Sequence, residues 1–151
     1  MPAPEPGPGL PVTFRPTRTR IVLLTVGVAI LVTLIVIAML LETAGPGERA
    51  AFVLTGVLFL GVLVLLSRPK VVADAGGVTV VNLTTKRRLE WAEIVGVHLR
   101  PGDPWVLLDL SDGTSLPAMG IQPGIARERA LRDAKALRAL ADRYGTGPAD
   151  G

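Results

Sequence analysis

The chain has no cysteine and a single histidine, His98. The first absence excludes disulfides, thiolate metal sites and cysteine nucleophiles. The second means that any zinc site or Ser-His-Asp arrangement would rest wholly on His98. A polybasic block is also missing: 16 Lys and Arg stand against 13 Asp and Glu, a net charge of only +3, so nucleic-acid binding gains little support. Asp103, Asp109 and Asp112 lack calcium-loop spacing, and no glycine loop of the phosphate-cradling kind occurs. No pair of acid and base residues is set up for proton transfer. The sequence therefore predicts no catalysis, no cofactor and no metal site.

Charge is absent in another sense from two long runs, Ile21–Leu41 and Ala50–Ser67. About 20 apolar residues rising 1.5 Å each match the roughly 30 Å hydrocarbon core of a bilayer. The eight residues of the loop 42–49, with Gly45-Pro46-Gly47 at their centre, are too few to do more than turn one helix back beside the other. Residues 21–67 thus read as a transmembrane helical hairpin. Arg15, Arg18 and Arg20 precede it, and Arg68 and Lys70 follow it, whereas the loop holds one Arg and two Glu. By the positive-inside rule both termini face the cytoplasm in a two-span protein of the cell membrane. The first run is longer than a signal-peptide core, and a cut after Ala44 would place Glu42 at the position where a small residue is required, so it reads as an anchor. Thr25, Ala29 and Thr33 on the first run, and Ala51, Thr55, Gly56 and Gly61 on the second, could let helices approach closely within the hairpin or in a homo-oligomer.

Before the hairpin, residues 1–20 hold six prolines and few apolar groups, which predicts a disordered leader. After it, turn signals separate short β-like runs at Val71–Asp74, Val78–Leu83, Arg87–Trp91, Gly96–Arg100, Trp105–Leu110 and Ser115–Met119. A helix is predicted over Gly124–Tyr144. Ala130, Ala134, Leu137, Ala141 and Tyr144 recur on one face, charged residues occupy the other, and Gly145 sits where a cap belongs. That narrow face of Ala and Leu suits packing on a sheet. The class is α+β, with a soluble domain over residues 68–145 and a flexible tail at 146–151.

Several of these segments, in this order, resemble the membrane-bound bacterial pleckstrin-homology (PH) family, and within it the group named for a low-molecular-weight protein antigen of high-GC bacteria. They are Gly77-Val78-Thr79-Val80, the run Arg87 to Val97 with its Trp91-Ala92-Glu93-Ile94, Gly102-Asp103-Pro104-Trp105 and Leu108 to Gly113. The resemblance implies a small PH-like antiparallel β-barrel or sheet capped by the C-terminal amphipathic helix, and it implies no activity. The chain departs from the eukaryotic PH pattern in two ways. Six strands can be placed where seven are expected, and the first hairpin loop, Ala75-Gly76-Gly77, lacks the basic residue that would grip a phosphoinositide.

Lys86-Arg87-Arg88 is the densest basic cluster, and with Arg68 and Lys70 it is the candidate contact for a partner or for anionic lipid. The same charges would also serve simply to protect a sheet edge. Trp91 and Trp105 are expected in the core, and His98 on the wetter face of its strand. Asn82-Leu83-Thr84 is a glycosylation sequon that a cytoplasmic domain would leave idle. The leading expectation is a non-enzymatic interaction module on the cytoplasmic face that binds a protein segment or another membrane protein. The alternative is peripheral sensing of anionic lipid headgroups.

Overall fold

Apolar runs without charge must find apolar surroundings, and the first two helices find part of theirs in each other. In the computed structural model, which describes residues 10–145, α1 spans Thr17–Leu40 and α2 spans Pro46–Leu66. Both are long and apolar enough to cross a membrane. Pro46 opens α2 at the position that tolerates a missing N–H, and the Gly45 N–H donates to the Glu48 carboxylate at 3.0 Å. Close packing occurs at two glycines. A methyl group at Gly27 would lie 2.8 Å from Leu60 Cδ1, and one at Gly56 would lie 2.8 Å from Leu31 Cδ1. Gly56 is among the small residues singled out in the sequence, and Gly27 is not.

These helices, Thr17–Arg68, form one compact unit; the chain before Pro16 and from Pro69 onward forms the other. The second unit holds seven strands: β1 Val12–Phe14, β2 Lys70–Asp74, β3 Gly77–Val81, β4 Lys86–Glu90, β5 Ile94–His98, β6 Val106–Leu110 and β7 Ser115–Ala118. All pair antiparallel, in a four-stranded sheet β1-β2-β3-β4 and a three-stranded sheet β5-β6-β7, with no closed barrel. Helix α3, Arg127–Gly145, follows.

Residues 10–20 differ from the expected disordered leader. Val12, Thr13 and Phe14 pair with Ala73, Val72 and Val71, and α1 begins at Thr17. Phe14 is buried in the core, and Leu10 and Val12 pack against it, so three apolar side chains offset the ordering of a short segment. This is the seventh strand, supplied from in front of the hairpin. Residues 1–9 and 146–151, the rest of that leader and the predicted tail, lie outside the described residues.

Alternation decides which side chains enter the core. Val71, Ala73, Val78, Val80 and Leu89 point inward from the first sheet, and Ile94, Val97, Val106, Leu108 and Leu110 from the second. Helix α3 closes this core with Ala130, Ala134, Leu137 and Ala141 of the predicted face and with Leu140, while Tyr144 of that face is partly exposed and Arg127, Glu128, Arg132, Lys135, Arg138 and Asp142 are exposed. Tyr144 stacks on Trp91, ring centroids 5.7 Å apart. Trp91 is buried and its indole N–H donates to the Asp74 carbonyl at 2.9 Å, which satisfies the one polar group of the side chain. Trp105, expected alongside it, is only half-buried and outside the core: it precedes β6 by one residue and follows a Pro-Gly-Asp-Pro break.

Asn82 joins the two sheets. Its side-chain N–H donates to the Pro117 carbonyl at 2.8 Å, and its oxygen accepts from the Met119 N–H at 3.1 Å. The sequon residue is thus a buried structural link. Near it the end of β7 runs so close to β2 that a Cβ at Gly120 would lie 2.5 Å from Lys70 Cα, an approach only glycine permits.

Candidate functional site

The basic run Lys86-Arg87-Arg88 is contiguous in sequence, but strand alternation splits it. Leu89 points into the core, so Lys86 and Arg88 point outward and Arg87 lies on the core-facing side at the strand end. Arg88 is engaged. Its guanidinium donates to Asp74 Oδ2 at 2.5 Å and Oδ1 at 2.8 Å, and to Thr79 Oγ1 at 3.2 Å. The fork-shaped contact follows from register, because Arg88 pairs with Thr79 two residues along the strand from the row of Asp74 and on the same face. Hydrogen bonding from Arg88 holds the Asp74 carboxyl at about 2. The Gly76 and Gly77 N–H groups, at 2.9 and 3.0 Å from Asp74 Oδ1, add to this. Arg87 lies close enough to Asp112 to help lower that carboxyl, whose main partner is the Thr114 hydroxyl.

Lys86, Lys70 and Arg68 have no ion-pair partner among the described residues. Lys86 and Arg68 are exposed and Lys70 is half-buried. Lys70 and Lys86 share one row of the sheet, each paired with Val81 between them. The five candidate residues therefore do not form one patch: Lys70 and Lys86 stand together, Arg68 is two residues from Lys70, and Arg87 and Arg88 are drawn to acidic neighbours.

A second constellation occupies the outer face of the other sheet, and no spacing motif announces it. His98 Nε2 lies 2.6 Å from Asp109 Oδ2, and the Ser115 hydroxyl donates to Asp109 Oδ1 at 2.9 Å. The Ser115 bond, with His98 behind it, lowers the Asp109 carboxyl below its usual range. Gly96 makes room for this pair, since a Cβ there would lie 2.9 Å from His98 Nε2. The serine is bonded to the carboxylate and not to the imidazole, so it is not activated as a nucleophile would be. His98 thus sits on the wetter face, half-buried, in a structural pairing.

Beside this pair a cavity of about 330 Å³ opens between β5 and the last turns of α3, with Gly96, His98, Asp109, Arg138, Asp142 and Gly145 on its walls. Strand β5 is the edge of its sheet. Its register slips between Ile94 and Gly96, and the extra residue, Val95, is 71% exposed. Among the described residues Val95–His98 make no backbone hydrogen bond beyond the β5–β6 ladder. No group of three or more His, Asp or Glu able to hold a metal occurs among them either.

An antiparallel β-structure closed by a C-terminal amphipathic helix is what the resemblance implied, here as two sheets and not a closed barrel, and residues 68–140 match the family described as bacterial PH domain. The domain after the apolar helices is similar to that family over those residues. Three curated mycobacterial relatives, an uncharacterised protein of Mycobacterium bovis and one from each of two Mycobacterium tuberculosis strains, are each 31% identical over 97 residues, 64% of this chain and 62% of the relative. The aligned part thus spans less than two thirds of the relatives it matches. No solved structure matches the chain. The PH domain here differs from the expected outline in taking its first strand from the far side of an apolar hairpin.

Proposed function

We propose that the chain is a membrane-anchored, non-enzymatic interaction module whose PH domain stands on the cytoplasmic face and binds an extended protein segment along β5. The observation that carries this reading is the unpaired edge of β5 beside the cavity under α3. An edge strand presents a row of N–H and C=O groups that a second extended chain can pair with, while the cavity takes its alternate side chains. The exposed Val95 and the mixed walls of His98, Arg138, Asp109 and Asp142 offer both apolar and polar contacts to such a segment. Orientation rests on Arg15, Arg18, Arg20, Arg68 and Lys70 at the outer ends of the hairpin. The pairing of Phe14 with Val71 supports it, since the segments entering and leaving the hairpin are held in one sheet.

A photo-crosslinking residue at Val95 of the full chain, activated in membranes, is expected to yield a discrete protein adduct, and the same residue at Ser111 is not. Equal yields at both positions, or none at Val95, would refute the β5 site. Orientation has its own measurement: Ser111→Cys should resist a membrane-impermeant maleimide on intact cells and Gly45→Cys should react. The reverse labelling would remove the cytoplasmic placement.

A further inference from the structure

The outer face of the first sheet is sorted by charge along its strands. Register places Lys70, Val81 and Lys86 in one terminal row, Val72, Thr79 and Arg88 two residues further along, and Asp74, Gly77 and Glu90 in the opposite terminal row. Alternation puts Lys70, Asp74, Lys86 and Glu90 on the same outer face, because Val71, Ala73, Val78 and Leu89 are fully buried on the other. One end of the face therefore carries two cations and the other end two carboxylates, with Arg88 bound to Asp74 in between.

The cationic end is also the end where the chain leaves the sheet for the apolar helices. Phe14 and Val71 are paired, Arg15 is exposed one residue past Phe14, and Arg68 is exposed two residues before Lys70. Chain length alone holds Lys70 within about 14 Å of the end of α2, four residues at no more than about 3.6 Å each. Lys86 lies two strand spacings from Lys70, roughly 10 Å. The acidic row is four residues further along the strands, roughly 13 Å, which exceeds the Debye length of about 8 Å at physiological salt.

The geometry points to a bilayer-facing end of the PH domain, in which Lys70 and Lys86, with Arg15 and Arg68, rest on the phosphates of anionic lipids while Asp74 and Glu90 point away. Cations near an anionic leaflet are attracted and carboxylates repelled, so a face graded from one to the other is oriented as well as bound. Arg87 and Arg88 are not part of the contact, since alternation turns Arg87 to the other side of the sheet and Arg88 is held by Asp74. The site is distinct from the first hairpin loop, which lies at the acidic end. It also goes beyond the β5 reading, involves none of its residues, and stands or falls separately from it.

The lack of native cysteine allows a direct test on the full chain in lipid nanodiscs. A fluorophore is placed at Thr85→Cys, beside the cationic row, or at Ala75→Cys in the turn at the acidic end, and the bilayer carries a headgroup-attached quencher. In phosphatidylcholine containing phosphatidylglycerol, quenching at position 85 should exceed that at position 75 by roughly threefold, because quenching falls with distance from the headgroups and the two ends lie about 13 Å apart along the strands. That excess should shrink in pure phosphatidylcholine, in high salt, and in the Lys70→Gln, Lys86→Gln double variant. Equal quenching at the two positions overturns the proposal. So does an excess at position 85 that persists in any one of the three arms, because the tether alone would then explain it. The lipid and salt arms use the unaltered lysines and do not depend on how the double variant folds.

Discussion

The two units dispose of the same kinds of side chain in opposite ways. In the hairpin Leu40, Leu58 and Phe59 are 74%, 63% and 53% exposed, and the helices approach closely at Gly27 and Gly56. In the PH domain Leu89, Leu108 and Leu137 are wholly buried, and the charged side chains left outside on the first sheet are ordered by strand register. A bilayer can solvate the first arrangement and water the second. The difference teaches that apolar content locates a segment in its solvent, whereas the positions of the few charges carry the information about contacts.

The strongest way to break the comparison is to make one substitution in both units. Phe14→Ala removes a core side chain of the domain and should cost about 3–5 kcal/mol of its stability, the range for a buried aromatic. Phe59→Ala removes an exposed side chain of α2 and should leave the domain's unfolding midpoint where it was. Denaturant titration of the full chain in detergent, followed by the fluorescence of Trp91 and Trp105, reads both. A Phe14→Ala variant as stable as the parent would show that β1 does not belong to the domain's cooperative unit.

That strand also marks the limit of what the sequence discloses. The two apolar helices are legible because each run holds about twenty residues without charge, and β2 to β7 because turn residues punctuate them at regular intervals. Helix α3 declares itself through the spacing of Ala130, Ala134, Leu137 and Ala141. Val12-Thr13-Phe14 gives no local signal: it is three residues long, Pro11 and Pro16 flank it, and its partner lies beyond two helices. The basic candidates fail to read correctly for a related reason. Adjacent residues of a strand face opposite ways, so the neighbours Lys86, Arg87 and Arg88 part company, while Lys70 and Lys86, sixteen positions apart, come together in one row. The cavity by β5 depends on the bulge at Val95 and on where α3 lands, and neither is encoded in a motif.

An intermediate effect separates the units through hydrogen bonding. Asn82→Ala leaves the Met119 N–H and the Pro117 carbonyl without their partner and should cost about 1–3 kcal/mol, the penalty for stranding buried polar groups. Two side-chain hydrogen bonds in the middle of the spans, Thr33 to the Ala29 carbonyl and Thr55 to the Ala51 carbonyl, are each made within one helix. Thr33→Val should therefore leave both units unchanged in the same titration. A loss from Thr33→Val equal to that from Asn82→Ala would erase the distinction between a link and a local satisfaction.

The smallest expected effect sharpens the comparison through pH. The Asp74 carboxyl sits at about 2 in the folded domain against an ordinary 3.8, chiefly because Arg88 donates to it. A carboxyl depressed by folding stabilises fully above its unfolded value, and that contribution is lost as pH falls through the folded one. The domain should thus lose this share of its stability between about pH 4 and pH 2. Asp74→Asn should be slightly less stable than the parent at neutral pH and converge with it toward pH 2, since an exposed ion pair contributes little. The apolar spans have no ionisable side chain between Ile21 and Leu41 or between Ala50 and Ser67, so the helical signal of the hairpin should be flat over the same window. A constant gap between Asp74→Asn and the parent from pH 7 to pH 2, in unfolding titrations of the domain, would mean that Arg88 holds Asp74 by packing and not by charge.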